Sequence, residues 1–503
     1  MAGMLALALC STNMPPQTIF AEEFTSGNQD VVSEEETPEI FTNEEQEAAG
    51  ETDEELSVFS SEEVPEFNDA PDEAMAAAEN EQAGEIDLAD NDKVINGVYT
   101  IRSAGDHKFT CSRETGNRIV VDGGNTSEQD NINIYLNKVN INTSTGPALR
   151  INVNVKATVT IYLTGTNNLI AKNTWYAGLQ KANTASLIIT TKVLDPTAGI
   201  LNAHGSSDGD GAGIGGSNIT INSCSVIASS KYGAGIGGSK GHAGSDITIN
   251  NSSVTASSTN GAGIGGGKGG AGSNNITING GSVKASSVSG SPTNGGKEVY
   301  CCTIENPENA NVTIKTGTGS SVNWKPVNHS SLDPDDTNLY VWLPKLESNS
   351  TNSYLIILDP ENSSESRTRN YSFDTVTNTF KAAQVVNDFI FKSPVNLIYD
   401  GQPKEASLEF KFKPTHENDR TILLKYYKGK YENIKDNIDT IEPLQGAPVN
   451  AGTYTVKAEI GESKSYFEHK GLVSSEWTFT IKKASVAPGA DFNKTSISVL
   501  WSC

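Results

Sequence analysis

Three passages of this chain are near copies of one another, and that repetition limits its fold more than any other feature. Gly211-Ala-Gly-Ile-Gly-Gly216 is followed by Ile219-Thr-Ile-Asn222 and Ser225-Val-Ile-Ala-Ser229. The order recurs at Gly233–Gly238, Ile247–Asn250 and Ser253–Ser257, and again at Gly261–Gly266, Ile276–Asn279 and Ser282–Ser286. Weaker copies of the aliphatic pair lie upstream, so the pairs start at 132, 159, 187, 219, 247 and 276, in steps of 27, 28, 32, 28 and 29. A second pair follows each: Val139/Ile141, Leu169/Ala171, Leu201/Ala203, Val226/Ala228, Val254/Ala256 and Val283/Ala285. A third element carries Ala148/Leu149, Ala177/Leu179, Ala212/Ile214, Ala234/Ile236 or Ala262/Ile264. A fixed period of this length is the signature of a solenoid or array.

Each pair alternates apolar with polar, so one side chain in two turns inward, as in a strand. Three short strands per repeat describe a three-sided coil that cannot bury its apolar face alone. Stacking coils at about 4.8 Å buries a continuous column, and six would stand roughly 30 Å tall. Helix is a poor competitor, because each glycine would cost about 1 kcal/mol relative to alanine. The spacer between the Gly-rich element and the next Ile pair varies, so insertions such as Lys240-Gly-His-Ala-Gly244 are expected to loop out at one corner. The expectation is an all-β chain with a right-handed parallel β-helix of six or seven rungs over 93–296.

The segments Asn131–Ile151 (NINIYLNKVNINTSTGPALRI) and Ala157–Ala171 (ATVTIYLTGTNNLIA) resemble the clostridial carbohydrate-binding β-helix family. That likeness covers Val98 to Ser289 and implies binding of cellulose- or pectin-type polysaccharide on a fold distantly related to pectate lyases. The GAGIGG rungs are similar to those of β-helical surface proteins of gut Firmicutes. Farther along, Leu397-Ile-Tyr-Asp-Gly401 and Pro448-Val-Asn-Ala-Gly-Thr-Tyr-Thr-Val456 resemble the YDG/MBG-type Ig-like repeat of bacterial surface proteins. That implies a β-sandwich over 386–483, with Trp477–Ile481 as its last strand. Between the two, 297–385 reads as a small β module that caps the solenoid's exposed strand edges, with strands at Leu339–Leu343 and Tyr354–Leu358. Residues 484–503 read as the start of a further, truncated repeat.

The formal net charge of −24 is concentrated in one segment. Of 61 acidic residues, 26 lie between Ala21 and Asp92, where there is no Lys or Arg; 35 acidic and 37 basic residues remain elsewhere. Residues 22–92 therefore read as a solvated, disordered acidic linker. No basic footprint for nucleic acid is present. Met1–Ala21 reads as a secretory signal peptide, with an apolar core at Met4–Cys10 and a small-residue cleavage site at Ile19-Phe20-Ala21. Its basic n-region is missing, so the true start is expected upstream. No other segment approaches the ~20 apolar residues of a membrane span. Cys10, Cys111, Cys224, Cys301, Cys302 and Cys503 match neither a disulfide framework nor a zinc site, and buried or half-buried thiols are expected.

Polysaccharide cleavage needs converging carboxylates or a cation site with a base. Between Asn131 and Gly296 the acids are Asp195, Asp208, Asp210 and Asp246, too sparse for that constellation, and a non-catalytic protein is expected. Asp208 and Asp210, in Asp-Gly-Asp-Gly, could hold calcium, against the reading of a plain Asp-Gly turn; no cofactor is required. His204 and His242 have no partner at zinc-ligand spacing. Trp175, Tyr176 and Tyr232 fall at one corner and would make an aromatic patch for a glycan, or cover the coil junction as partial core. Lys231, Lys240, Lys268 and Lys284 would make a basic strip for an acidic polysaccharide, with His242 beside it, or else a solvated face. GAGIGG lacks the following helix of a phosphate loop and recurs, so it is structural. The sequence thus points to a secreted cell-surface protein whose partner is a polysaccharide. The alternatives are a stalk or adhesin for host or matrix protein, and a β-helix lyase or hydrolase.

Overall fold

The computed structural model describes residues 84–123, 127–182, 184–192, 198–271, 275–306, 310–316, 336–346, 353–359, 366–411, 420–431 and 441–485. The signal segment 1–21, the acidic stretch up to residue 83, Cys10, Asp195, Cys503 and residues 486–503 lie outside them.

The repeat winds into a parallel β-helix. The first strands of the coils pair in register, Ile132 on Val159, Val159 on Leu187, Leu187 on Ile219, Ile219 on Ile247 and Ile247 on Ile276. Each of these side chains is at most 1% exposed, as is the second member of every pair. The third strands stack in a separate sheet, Ile119 on Leu149, Leu179, Ile214, Ile236 and Ile264 in turn. Together they make one apolar column closed by three sides.

The fold extends below the weakest sequence copies. Gly105–Thr110 lies under Asn131–Asn137, with Phe109 on Leu136. Ile86–Asp87, placed by sequence in the acidic linker, pairs with Phe109–Thr110. Its burial is what apolar Ile86 and Leu88 (4% and 0% exposed) require. The second strand also departs from the sequence register. Leu169 stacks on Ile141 and Ala203, while Asn167, not Leu169, stacks under Leu201. The true pair is Asn167/Leu169, two residues earlier than Leu169/Ala171. An asparagine is hidden in an apolar row because its amide is satisfied there: Oδ1 accepts from the Val139 N–H at 2.9 Å and Nδ2 reaches the carbonyls of Gly165 and Ile200. A similar exception is Lys181, stacked on inward Ile151. Its Nζ donates to the Ser217 carbonyl at 2.7 Å, and burial pulls its pKa down to about 8.

Glycine in the Gly-rich element is a steric demand. A Cβ on Gly235 would stand 2.7 Å from the Gly263 carbonyl oxygen and 2.7 Å from the Ser257 nitrogen, backbone on both sides. Gly237 has φ of +131° and would place a Cβ 2.1 Å from the Gly265 carbonyl oxygen. That bare face is where the insertions go. They do not loop out; they fold back over it. Lys240 N donates to Asp210 O at 2.9 Å, Gly241 N to Lys268 O at 2.9 Å, and Lys268 N to Tyr232 O at 2.8 Å.

Beyond the last rung, Asn338–Pro344 runs antiparallel to Lys297–Glu305 in a mixed sheet that also contains Asn311–Thr316, Ser353–Asp359, Arg367–Asp374 and Thr379–Ala382. This sheet docks on the solenoid end. The Trp342 indole donates to the Val283 carbonyl at 2.9 Å, Tyr340 N to Ser282 Oγ at 3.0 Å, and Lys284 pairs with buried Asp336 at 2.5 Å. Lys284 therefore does not belong to an exposed basic strip. Phe389–Lys392 with Ser407–Phe410, and Ile422–Lys428 with Gly452–Ile460 and His469–Ile481, form two further sheets around Phe389, Tyr454, Trp477 and Phe479. Arg369 ties this part to the mixed sheet, bonding Asp388 at 2.6 Å and the Tyr466 hydroxyl, which itself donates to Glu305 at 2.6 Å. Cys224, Cys301 and Cys302 are free thiols; burial pushes the first two up to about 12 and Cys302 well above its ordinary value. Cys111 is free and half-buried.

Candidate functional site

The corner between the second and third strands gathers most of the residues that the sequence singles out. Three successive coils turn there at 173–176, 206–211 and 231–233, and backbone bonds stack the turns. Asp210 N donates to Thr174 O at 2.6 Å, and Tyr232 N to Gly209 O at 3.2 Å. Trp175 stands on the lowest turn, 69% exposed, its N–H held by Asn173 Oδ1 at 3.3 Å. Tyr176 beside it is half-buried.

Tyr232 is the centre of charge. The ammonium groups of Lys231, Lys240 and Lys268 each lie 5.3 Å from its ring centroid, within cation–π range. They arrive from three places: Lys231 from the turn itself, and Lys240 and Lys268 from the two folded-back insertions. Asp208 accepts from Lys231 at 2.9 Å and Asp210 from Lys240 at 3.2 Å. The hydrogen bond and charge of Asp208 hold the Lys231 ammonium above its ordinary pKa. Both aspartates are thus engaged by lysines. Among the described residues no group of three or more His, Cys, Asp and Glu side chains is placed to hold a metal. Lys268 and Lys240 are exposed, and three ammonium groups face two carboxylates, so the corner is cationic. His242 joins through its backbone: its carbonyl accepts from Gly267 N at 3.0 Å and its ring is exposed. His204 sits below, Nδ1 2.7 Å from Ser229 Oγ, and burial lowers its pKa.

Two further features escaped sequence reading. Tyr135 and Tyr162 stack at 4.8 Å with 12° between planes, and Lys192 lies 4.7 Å from the Tyr135 ring. Their faces are turned to each other and to Lys192, which leaves less of them for a ligand than Trp175 offers. The other is the outward face of the third sheet, where Val120, Arg150 and Gln180 follow one another in register and Gly215 comes next. Strict alternation around inward Leu149 and Ile151 was the available signal for Arg150.

The architecture makes this a parallel β-helix protein with small β-sheets behind the solenoid. A family model described as Beta helix repeat matches residues 219–240, 247–268 and 276–295, the three rungs that copy each other best. No curated protein and no solved structure matches the chain.

Proposed function

We propose that this protein binds polysaccharide at the Trp175–Tyr232 corner, without cleaving it, as a secreted protein of a bacterial cell surface. One observation carries the reading: a tryptophan left 69% exposed on the same stacked corner as a tyrosine ringed by three lysines. Trp offers a large rigid apolar face with a polar edge, the combination that suits the C–H faces and hydroxyls of sugars. The stacked turns hold these groups on rigid backbone, which lowers the ordering cost of binding. The lysines favour a chain that carries negative charge. The mixed sheet and the two C-terminal sheets, read as a cap and an Ig-like module, would hold the solenoid away from its attachment.

Screening against a glycan array tests this. Trp175→Ala is expected to weaken binding at least about tenfold, equivalent to roughly 1.4 kcal/mol, with an unchanged melting temperature. A chain that binds no glycan yet adheres to a host or matrix protein would favour the stalk reading instead. Release of unsaturated uronate from a polyuronide would overturn the non-catalytic part.

A further inference from the structure

We propose that the outward face of the third sheet in the lower rungs is a second binding site, for an oxyanion of a glycan chain (a carboxylate or a sulfate), with Arg150 as its cation. It relies on the corner reading only for the kind of polymer that carries the anion.

Arg150 points outward between buried Leu149 and Ile151 and is itself half-buried. Its Nε is shielded from solvent and has no hydrogen-bond acceptor, and among the described residues no carboxylate pairs with its guanidinium. The acid beside it, Asp122, is turned elsewhere: it lies 3.4 Å from Arg102 and accepts from Asn152 and Asn154 at 3.3 Å each. Next to Arg150 in the ladder, Gln180 Oε1 is buried without a donor, and so is Asn152 Oδ1, two residues along the same strand face. A half-buried cation and two buried acceptors, all unmatched on two adjacent strands, are a departure that a folded protein rarely sustains without a partner.

The unmatched set has a consistent chemistry. A guanidinium presents a planar fork of donors that fits a carboxylate or sulfate through two parallel bonds. The amide oxygens of Gln180 and Asn152 accept from hydroxyl groups flanking such an anion. In the upper rungs the same outward position is Gly215, Gly237 and Gly265. There Gly244, in the insertion after Gly238, packs against Gly237 and Gly265, so that a Cβ on it would stand 2.6 Å from the Gly237 Cα and 2.4 Å from the Gly265 carbonyl oxygen. Below Gly215 the outward positions carry the long side chains of Gln180 and Arg150, both half-buried. Gln180 is five residues beyond Trp175 on one coil, so at most about 18 Å separates them, a span that a few sugar units cover. One acidic chain could then lie across both the corner and this face.

The test titrates the full chain with dextran, carboxymethyl-dextran and dextran sulfate, polymers that share a backbone and differ in the charged group. The two charged polymers are expected to bind at least tenfold more tightly than dextran, and whichever binds more tightly identifies the oxyanion. Arg150→Gln should remove most of that preference, Arg150→Lys should recover part of it, and Lys268→Gln, which removes the same charge from the corner, should cost less than Arg150→Gln. Equal losses from Arg150→Gln and Lys268→Gln would mean general attraction to a cationic surface and would overturn the site. So would charged polymers that bind no better than dextran, or no loss with Arg150→Gln. If Arg150→Gln fails to fold, the drop from wild type to Arg150→Lys gives the same reading. Trp175→Ala should weaken all the polymers alike; an Arg150 effect that survives while Trp175→Ala does nothing would sink the corner reading and leave this one standing.

Discussion

The lower and upper rungs of the solenoid share one interior and differ in almost everything outside it. In the upper rungs, 211–289, the inward Ile, Val and Ala positions repeat almost unchanged, the outward position of the third strand is glycine, and the insertion holding Gly244 packs against Gly237 and Gly265. In the lower rungs the same inward column is filled by Ile134, Ile161, Leu163 and Ile189, each 0 or 1% exposed, but the outward positions carry Tyr135, Tyr162, Arg150 and Gln180. The backbone pairing is the same in both halves, so the variation is what the fold does not dictate. Where a coil presses backbone on backbone, sequence is confined to glycine. Where it faces outward from the column, it is released. Even the asparagine ladders obey this: Asn222, Asn250 and Asn279 bond in one row above, while Asn140, Asn168 and Asn202 bond in a different row below.

The sharpest way to break this comparison is at the close approach. Gly235→Ala forces a methyl against backbone on two sides and is expected to destabilise by about 3 kcal/mol. The corresponding position is still glycine at Gly178, where a Cβ would stand 2.4 Å from the Leu169 carbonyl oxygen, and becomes Ala148 one coil lower, so Ala148→Gly should cost no more than about 1 kcal/mol. Urea midpoints of the two variants measure the contrast. Next come the interior positions, where the halves should agree: Ile161→Ala and Ile249→Ala are each expected to lose about 2–5 kcal/mol. A clear inequality between them would mean the column is not shared.

A smaller effect concerns pH. His204 has its pKa lowered by burial, so its neutral form is favoured in the fold. The unfolded chain then binds more protons once pH drops below about 6.5, and stability falls with pH between there and the folded pKa. Above about 6.5 it contributes no pH dependence. His204→Asn should flatten that part of a stability–pH curve followed by thermal melts. The smallest expected effect is on the proposed oxyanion site. Arg150→Gln should leave stability within about 0.5 kcal/mol, because no ion pair of the fold is lost with it.

The repeat made most of the solenoid legible in sequence. Ile132 through Ile276 stack in the rows their spacing implies, because side-chain alternation and a near-constant period leave one register that buries every aliphatic residue. The failures share a cause. Asn167 and Lys181 occupy inward rows as polar residues, and their acceptability depends on backbone groups of neighbouring rungs that no local pattern reveals. The lowest strand, Ile86–Asp87, is hidden in a run dominated by charge. At the site, the convergence of Lys240 and Lys268 on Tyr232 depends on insertions folding back, which their length alone left open. Lys284 had the right residue type, but Asp336, 52 residues away in sequence, claims it.

Pulsed electron spin resonance between nitroxide labels at 133 and 277 reads the stacking itself, in a chain whose native cysteines are replaced by alanine. Both positions face outward in one row, five strand spacings apart through Thr160, Ile188, Thr220 and Thr248. Stacked coils require a narrow distribution centred near about 24 Å, shortening to about 14 Å when the upper label is moved to 220. Broad distances, or no shortening on that move, would mean that the rungs do not lie one upon another.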